Sequence, residues 1–108
     1  MALAWMYLFL AATFEIGMAI ALKLNEGWTR LVPSVLAVAS GLISIFLLAL
    51  SMRSLPVGTA YAVWTGTGAV GIATLGMLFF HESASPLRIF FLVLTFVGIM
   101  GLRFASES

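Results

Sequence analysis

The sequence has no cysteine and a single histidine, His81. Without cysteine, the chain can form neither disulfides nor thiolate metal sites, and one histidine cannot build a metal site alone. We therefore expect no metal and no cofactor.

Charged residues are almost as scarce. They make up 8% of the 108 residues, whereas 63% are hydrophobic. An ordinary soluble domain has roughly 25% charged residues, and a small soluble fold buries only about 60–70% of the surface of its chain. So much apolar surface requires lipid as the solvent. The net charge of +1 argues against nucleic-acid binding, which needs a basic patch.

Long apolar runs fill most of the chain, and a spanning helix needs about 20 such residues. We predict four helices, at residues 3–22, 32–50, 57–80 and 86–104. Pro33, Pro56 and Pro86 lie at or near the predicted starts, where proline is tolerated. The first run lacks a basic leader, so we expect a span rather than a signal peptide. The sequence predicts an all-α membrane protein with a single transmembrane domain, residues 1–108.

The few basic residues are divided almost equally between the two sides of the membrane. If the N-terminus lies in the cytoplasm, Arg53 and Arg103 lie inside, while Lys23, Arg30 and Arg88 lie outside. A bias in these residues sets orientation, and here there is almost none. We expect insertion in both orientations, which allows an antiparallel pair. The alternative is that one weak bias still prevails.

Glu15 is the acidic residue of the first predicted span, within the stretch AATFEIGMAI. It lies near the bilayer midplane, where an acidic side chain is costly and is usually functional. No lysine or arginine within the spans lies at a comparable depth to pair with it. An unpaired carboxylate can hold a proton or a cationic ligand, but not both. The alternative is a permanently protonated acid hydrogen-bonded to a neighbouring helix.

The third span contains the run GTAYAVWTGTGAVG at residues 58–71. Tyr61 and Trp64 can stack on a cation, and the Tyr61 hydroxyl can donate to a carboxylate. Gly66, Gly68 and Gly71 allow either a bend in the helix or close packing of small residues. Trp5, Tyr7 and Trp28 lie near predicted span ends, where we expect them to anchor the helices at the interface.

Two further patterns concern packing. Ser44 in the second span can hydrogen-bond Glu15 or bond back to its own helix. In the fourth span, Leu94, Gly98 and Gly101 form a stripe suited to close helix contact, which we interpret as a dimer surface. One chain of four helices is too small to enclose a solute pathway, whereas two copies could do so.

Taken together, these residues resemble the small multidrug resistance family of bacterial inner-membrane exporters. The resemblance covers the whole chain: four helices, the lone glutamate, LNEGWTRLVPS after it, and LPVGTAYAVWTGTGAVG. It implies an antiparallel, dual-topology homodimer that exports cations in exchange for protons. Glu15 of both subunits would bind protons and substrate alternately. Tyr61, Trp64 and Ser44 match the family's substrate-binding residues, and helix 4 matches its dimerisation helix.

The run TGTGAVG and the ending GIMGLR look like the guanidinium-exporter branch of that family. That branch usually has tryptophan three residues after the glutamate, and the multidrug branch has glycine. This chain has Met18 there, which we expect to line the substrate site and to widen it.

Three hypotheses follow. The first is a proton-coupled exporter of guanidinium-type cations. The second is an exporter of quaternary ammonium or polyaromatic cations, which Met18 favours. Either exporter could instead be one half of a pair of unlike related chains. The third hypothesis is a membrane subunit without transport activity. An enzyme has almost no support, because no second carboxylate lies at the depth of Glu15.

Overall fold

The computed structural model describes residues 2–106, which form four α-helices and no strand within that range. The helices are α1 (Ala2–Leu24), α2 (Leu31–Ser51), α3 (Val57–Phe79) and α4 (Pro86–Ser106). All four are long and apolar enough to cross a membrane. Their bounds lie within two residues of the predicted ones, because each apolar run ends where the charged and turn-forming residues begin.

The three prolines mark helix starts, as predicted. Pro33 lies in the first turn of α2, Pro56 is the N-cap of α3, and Pro86 is the first residue of α4. A proline in the first turn lacks only an N–H that would have no partner within the helix. The Ser85 hydroxyl accepts the Arg88 N–H at 3.2 Å and so caps the start of α4.

Asn25 organises the tight connection between α1 and α2. Its side chain is 1% exposed, and its Oδ1 accepts the Trp28 N–H at 3.2 Å. Its backbone carbonyl accepts the Thr29 N–H at 3.0 Å. Glu26, Gly27 and Trp28 all have positive φ, at 51°, 72° and 70°. Three consecutive left-handed residues reverse the chain quickly, so α2 runs back along α1.

The helix α1 is central, because it packs against both α2 and α3, whereas α4 packs mainly on α3. Leu8 of α1 and Val63 of α3 are fully buried, and Ile99 is the buried hydrophobic residue of α4. Large apolar side chains elsewhere on α4, such as Phe90 and Val97, are exposed. Such a surface suits lipid or a second chain rather than water.

One aromatic expectation is wrong. Trp5 is not an interfacial anchor, because its side chain is only 4% exposed. Its ring stacks on Phe9 with centroids 6.1 Å apart, and the Arg103 guanidinium lies 5.3 Å from the ring centroid. The ring therefore packs inward and links the start of α1 to the end of α4. Trp28, in contrast, is 60% exposed, as an anchor at the membrane surface requires.

Candidate functional site

The Glu15 carboxylate packs against the backbone of Gly68, at the contact between α1 and α3. A Cβ atom added at Gly68 would lie 2.6 Å from Glu15 Oε2 and 2.7 Å from Cδ. Glycine is therefore the residue that leaves room for the carboxylate. The side chain is half-buried. Its Oε2 atom is buried and has no hydrogen-bond partner within residues 2–106, so one carboxylate oxygen lies at the contact between α1 and α3 without a donor from these residues.

Ser44 connects α1, α2 and α3 one turn before Glu15. Its side chain is 1% exposed, and its hydroxyl donates to the Ala11 carbonyl at 2.6 Å. The Trp64 indole N–H donates to the Ser44 oxygen at 2.9 Å. In an α-helix the Ala11 carbonyl also accepts the backbone N–H of Glu15. Ser44 is therefore attached to the helical turn that carries the carboxylate.

Both predicted partners of Ser44 are wrong. Its hydroxyl bonds neither to the Glu15 carboxylate nor to its own helix, but to the backbone of α1. The reason is geometric: α2 packs along α1 closely enough for the hydroxyl to reach that carbonyl. Ser44 instead holds the indole of Trp64 in a fixed orientation.

Tyr61 and Trp64 form a pair of rings beside this network. Their centroids are 5.5 Å apart and their planes are inclined by 56°. Tyr61 is 55% exposed, whereas Trp64 is half-buried. No hydrogen bond joins the Tyr61 hydroxyl to the Glu15 carboxylate in the part of the chain that the structure describes. The Trp64 ring is therefore held by a hydrogen bond, whereas the Tyr61 ring is exposed.

Met18 lies one turn beyond Glu15 but contacts a different helix. Its sulfur would be 2.9 Å from a Cβ added at Gly41 of α2. It lines a cavity of about 300 Å³ formed by residues of α1, α2 and their connection, which are Met18, Leu22, Trp28, Ala37, Val38, Gly41, Leu42 and Ile45. The structure thus places Met18 on the α2 side of α1, while the carboxylate faces Gly68 of α3.

The three glycines of α3 make three different contacts. Gly66 faces Ile99 of α4, where a Cβ would lie 2.9 Å from the Cδ1 atom. Gly68 faces Glu15, and Gly71 faces the side chain of Ile16. The helix is continuous through all three positions. Close packing explains each glycine, and a bend at this segment stays a prediction.

The chain matches the family model described as "Small Multidrug Resistance protein" over residues 3–95. It is 49% identical over 105 residues to a guanidinium exporter of Citrobacter freundii, covering 97% of this chain and 100% of the relative. The chain belongs to the small multidrug resistance family. A guanidinium exporter of Yersinia pseudotuberculosis is 51% identical over 104 residues, with 96% of this chain and 100% of the relative covered.

Membership of the small multidrug resistance family agrees with the four helices that can cross a membrane. Four spanning helices make the chain a multi-pass protein of the bacterial inner membrane. The predicted dimer stripe on α4 faces outward. A Cβ added at Gly98 or at Gly101 would meet nothing within 4 Å, and Leu94 is 53% exposed. At the two glycines the stripe is therefore open within residues 2–106, and its role as a dimer surface stays a prediction.

Sequence reasoning did not find two features of this small multidrug resistance protein. The Ala11 carbonyl is a backbone group, so no residue type signals its bond to Ser44. Gly41 lies three residues before Ser44 on the same face of α2, but nothing in the sequence pattern indicated that it receives the Met18 side chain. No group of metal-binding side chains occurs in the described residues.

Proposed function

We propose that this chain is a proton-coupled antiporter that exports small organic cations, with guanidinium-type compounds as its substrates. The observation that carries the proposal is the Glu15 carboxylate, which lies on Gly68 with an oxygen atom free of partners. Its relatives are named guanidinium exporters, which supports the same class of substrate.

The charge of the site favours a cation. Across residues 2–106, the salt bridge is that between Arg88 and Glu82, at 2.9 Å, in the connection before α4. Glu15 has no basic partner in the same range. A half-buried carboxylate in this position gains stability either by taking up a proton or by binding a cationic ligand. These two ligands compete, and competition at one group couples proton movement to substrate movement.

Guanidinium chemistry fits the groups around Glu15. A guanidinium ion is planar and presents parallel N–H groups, which pair with a carboxylate in a two-pronged geometry. Its flat face stacks on aromatic rings. Trp64, which Ser44 holds in place, and Tyr61, which is exposed, offer such rings 5.5 Å apart. The carboxylate would supply charge, and the rings would supply shape.

The functional unit in this proposal is an antiparallel homodimer. Tyr61 is exposed in the single chain, so a second chain would have to close the site. The even distribution of basic residues between the two ends supports insertion in both orientations. The open stripe at Leu94, Gly98 and Gly101 of α4 would form the contact, and each chain would contribute one Glu15. A related chain could replace the second copy.

The mechanism is exchange by secondary active transport. Protons arriving from outside neutralise the two Glu15 carboxylates of the dimer, one from each chain, and so release the cation. Loss of those protons towards the cytoplasm restores the charge, so that the next cation binds. A change in α3 near Gly66, Gly68 and Gly71, where glycine lowers the cost of bending a helix, would alter which side the site faces.

A second candidate is an exporter of bulkier quaternary ammonium or polyaromatic cations. The observation that favours it is Met18, whose sulfur lies towards Gly41 rather than beside the Glu15 carboxylate. The flexible thioether leaves more room than a rigid ring would and adapts to different ligands. The two candidates differ in the size of cation that the site admits.

Reconstitution on a solid-supported membrane tests the proposal. Perfusion of the purified chain with guanidinium, and then with a tetraalkylammonium ion, should generate a current carried by exchange. Glu15→Gln keeps the shape but removes the charge, and it should abolish the current. Glu26→Gln is the matched control, because Glu26 lies in the exposed connection after α1.

The outcomes separate the candidates. A guanidinium current that requires Glu15 supports the first, and a current with the bulkier cation alone supports the second. A current that persists in Glu15→Gln contradicts both. Silence of the wild-type chain with every cation would contradict a self-sufficient antiporter and would direct attention to a partner chain or to a subunit without transport activity.

A further inference from the structure

A polar cavity lies at the end of the bundle where α1 begins and α2 ends. Its volume is about 420 Å³, and it is lined by Leu3, Ala4, Tyr7, Leu50, Arg53 and Ser54. Four other cavities of the protein have mostly apolar linings. This cavity instead combines a guanidinium group with two hydroxyl groups. It is separate from the Glu15 site, because Tyr7 and Glu15 are about 12 Å apart along the axis of α1.

Arg53 is the arginine whose side chain has no partner within residues 2–106. Arg88 pairs with Glu82 at 2.9 Å, Arg103 lies over a tryptophan ring at 5.3 Å, and Arg30 donates to a backbone carbonyl at 3.4 Å. The Arg53 side chain is exposed and forms no ion pair or hydrogen bond among these residues. Its charge is therefore available to a ligand.

No acidic residue among those described lines the cavity. Glu15 lies in the middle of α1, Glu26 lies in the connection at the opposite end of α1, and Glu82 is paired. Among residues 2–106, the charge at the cavity is therefore positive and has no acidic partner. A cation would be repelled from this cavity, and an anion would be attracted.

The position of the cavity and its apolar wall indicate which kind of anion would fit. Because α1 starts at Ala2 and α2 ends at Ser51, the cavity lies where spanning helices reach the polar headgroup region. Leu3 and Leu50 form an apolar side next to the polar groups. A ligand with a charged head and an apolar remainder matches both parts.

We propose that Tyr7, Arg53 and Ser54 form a binding site for a phosphate-bearing anion, supplied by the headgroup of an anionic phospholipid or by free phosphate. An arginine guanidinium presents a planar fork of N–H donors that pairs with two phosphate oxygens. The Tyr7 and Ser54 hydroxyls donate to the remaining oxygens. The proposal does not depend on which cation the protein transports.

Native mass spectrometry of the full chain tests the site. The protein is equilibrated in detergent with phosphatidylglycerol, with phosphatidylcholine of the same acyl chains, or with inorganic phosphate. We expect phosphatidylglycerol to be retained over phosphatidylcholine. A charge-assisted hydrogen bond to phosphate corresponds to about a tenfold effect on affinity, so Arg53→Gln should lower retention about tenfold. Arg53→Lys keeps the charge but loses the planar fork of N–H donors, so its lipid retention should lie between that of the wild type and that of Arg53→Gln.

The controls separate a specific site from general charge. Arg30→Gln removes one positive charge at the opposite end of the bundle and should leave lipid retention unchanged. Tyr7→Phe and Ser54→Ala should each weaken retention less than Arg53→Gln, and circular dichroism checks that every variant remains helical.

Arg53-dependent retention of phosphatidylglycerol identifies the lipid source, and Arg53-dependent retention of inorganic phosphate alone identifies the free ion. Equal retention in wild type and Arg53→Gln, or an equal loss in Arg30→Gln and Arg53→Gln, would overturn the site.

Discussion

Replacing Gly68 by alanine tests the contact on which the proposed transport site depends. The added Cβ would lie 2.6 Å from Glu15 Oε2 and 3.0 Å from Oε1. Atoms in ordinary contact stand about 3.5–4.0 Å apart, so the carboxylate must retreat by about 1 Å. A displacement of about 1 Å at a functional group can cost about a hundredfold in rate. We therefore expect transport of guanidinium by Gly68→Ala to fall between tenfold and about a hundredfold.

The stability of the same variant should not fall. The atoms that must move are the end of a flexible glutamate side chain rather than backbone. Alanine is also about 1 kcal/mol more favourable than glycine inside a helix. Thermal unfolding should therefore occur at or above the wild-type temperature even though transport is reduced. This separation distinguishes a displaced functional group from a disrupted fold.

The measurement is the guanidinium-driven current on a solid-supported membrane, combined with thermal unfolding of the same preparation. Gly58→Ala is the matched control, because a Cβ at that position in α3 would meet nothing within 4 Å. It should transport like the wild type. Undiminished transport by Gly68→Ala would refute the assignment of the Glu15–Gly68 contact to the site, and an equal loss in Gly58→Ala would attribute the effect to α3 in general.

Three further predictions follow from the same network. Ser44→Ala removes the acceptor of the Trp64 indole N–H. It should lower the unfolding free energy by about 1–3 kcal/mol and weaken cation binding. Unchanged unfolding free energy and unchanged affinity would contradict this role of Ser44. Met18→Trp puts a large ring where the thioether now packs against Gly41. Resistance to bulky quaternary ammonium compounds should therefore fall while guanidinium export persists. An unchanged substrate range would show that Met18 does not determine selectivity. Guanidinium affinity should fall as pH is lowered, by at most about tenfold per pH unit for each competing proton, and a titration followed by tryptophan fluorescence that shows no pH dependence would rule out competition at Glu15.

The membrane-spanning helices were predictable because their signals are local. An apolar run of about 20 residues is sufficient to define a span, and prolines mark its start. Glu15 could be proposed as a functional residue in the same way, since an acidic residue inside such a run is rare and costly. The short connections then require neighbouring helices to run antiparallel. None of these inferences depends on which face of a helix packs against the other helices.

The sequence did not predict which face of each helix packs against its neighbours, and the wrong predictions concern these faces. Trp5 is buried rather than interfacial, and Ser44 bonds to the backbone of α1 rather than to either predicted partner. A helix that is apolar on all sides has no polar face to show which side points away from the core. The amphipathic pattern that orients a helix in a soluble protein is therefore absent from this chain.

The sequence by itself determined the solvent, the number and ends of the helices, and the presence of one carboxylate within a span, for which we propose binding of a proton or a cation. Only the tertiary structure decided that this carboxylate lies on Gly68, that Ser44 holds Trp64, and that Met18 turns towards Gly41. These contacts depend on how closely and at what angle two apolar helices approach. Small residues and side-chain shape set that approach in lipid, whereas hydrophobicity, which is uniform along these helices, does not.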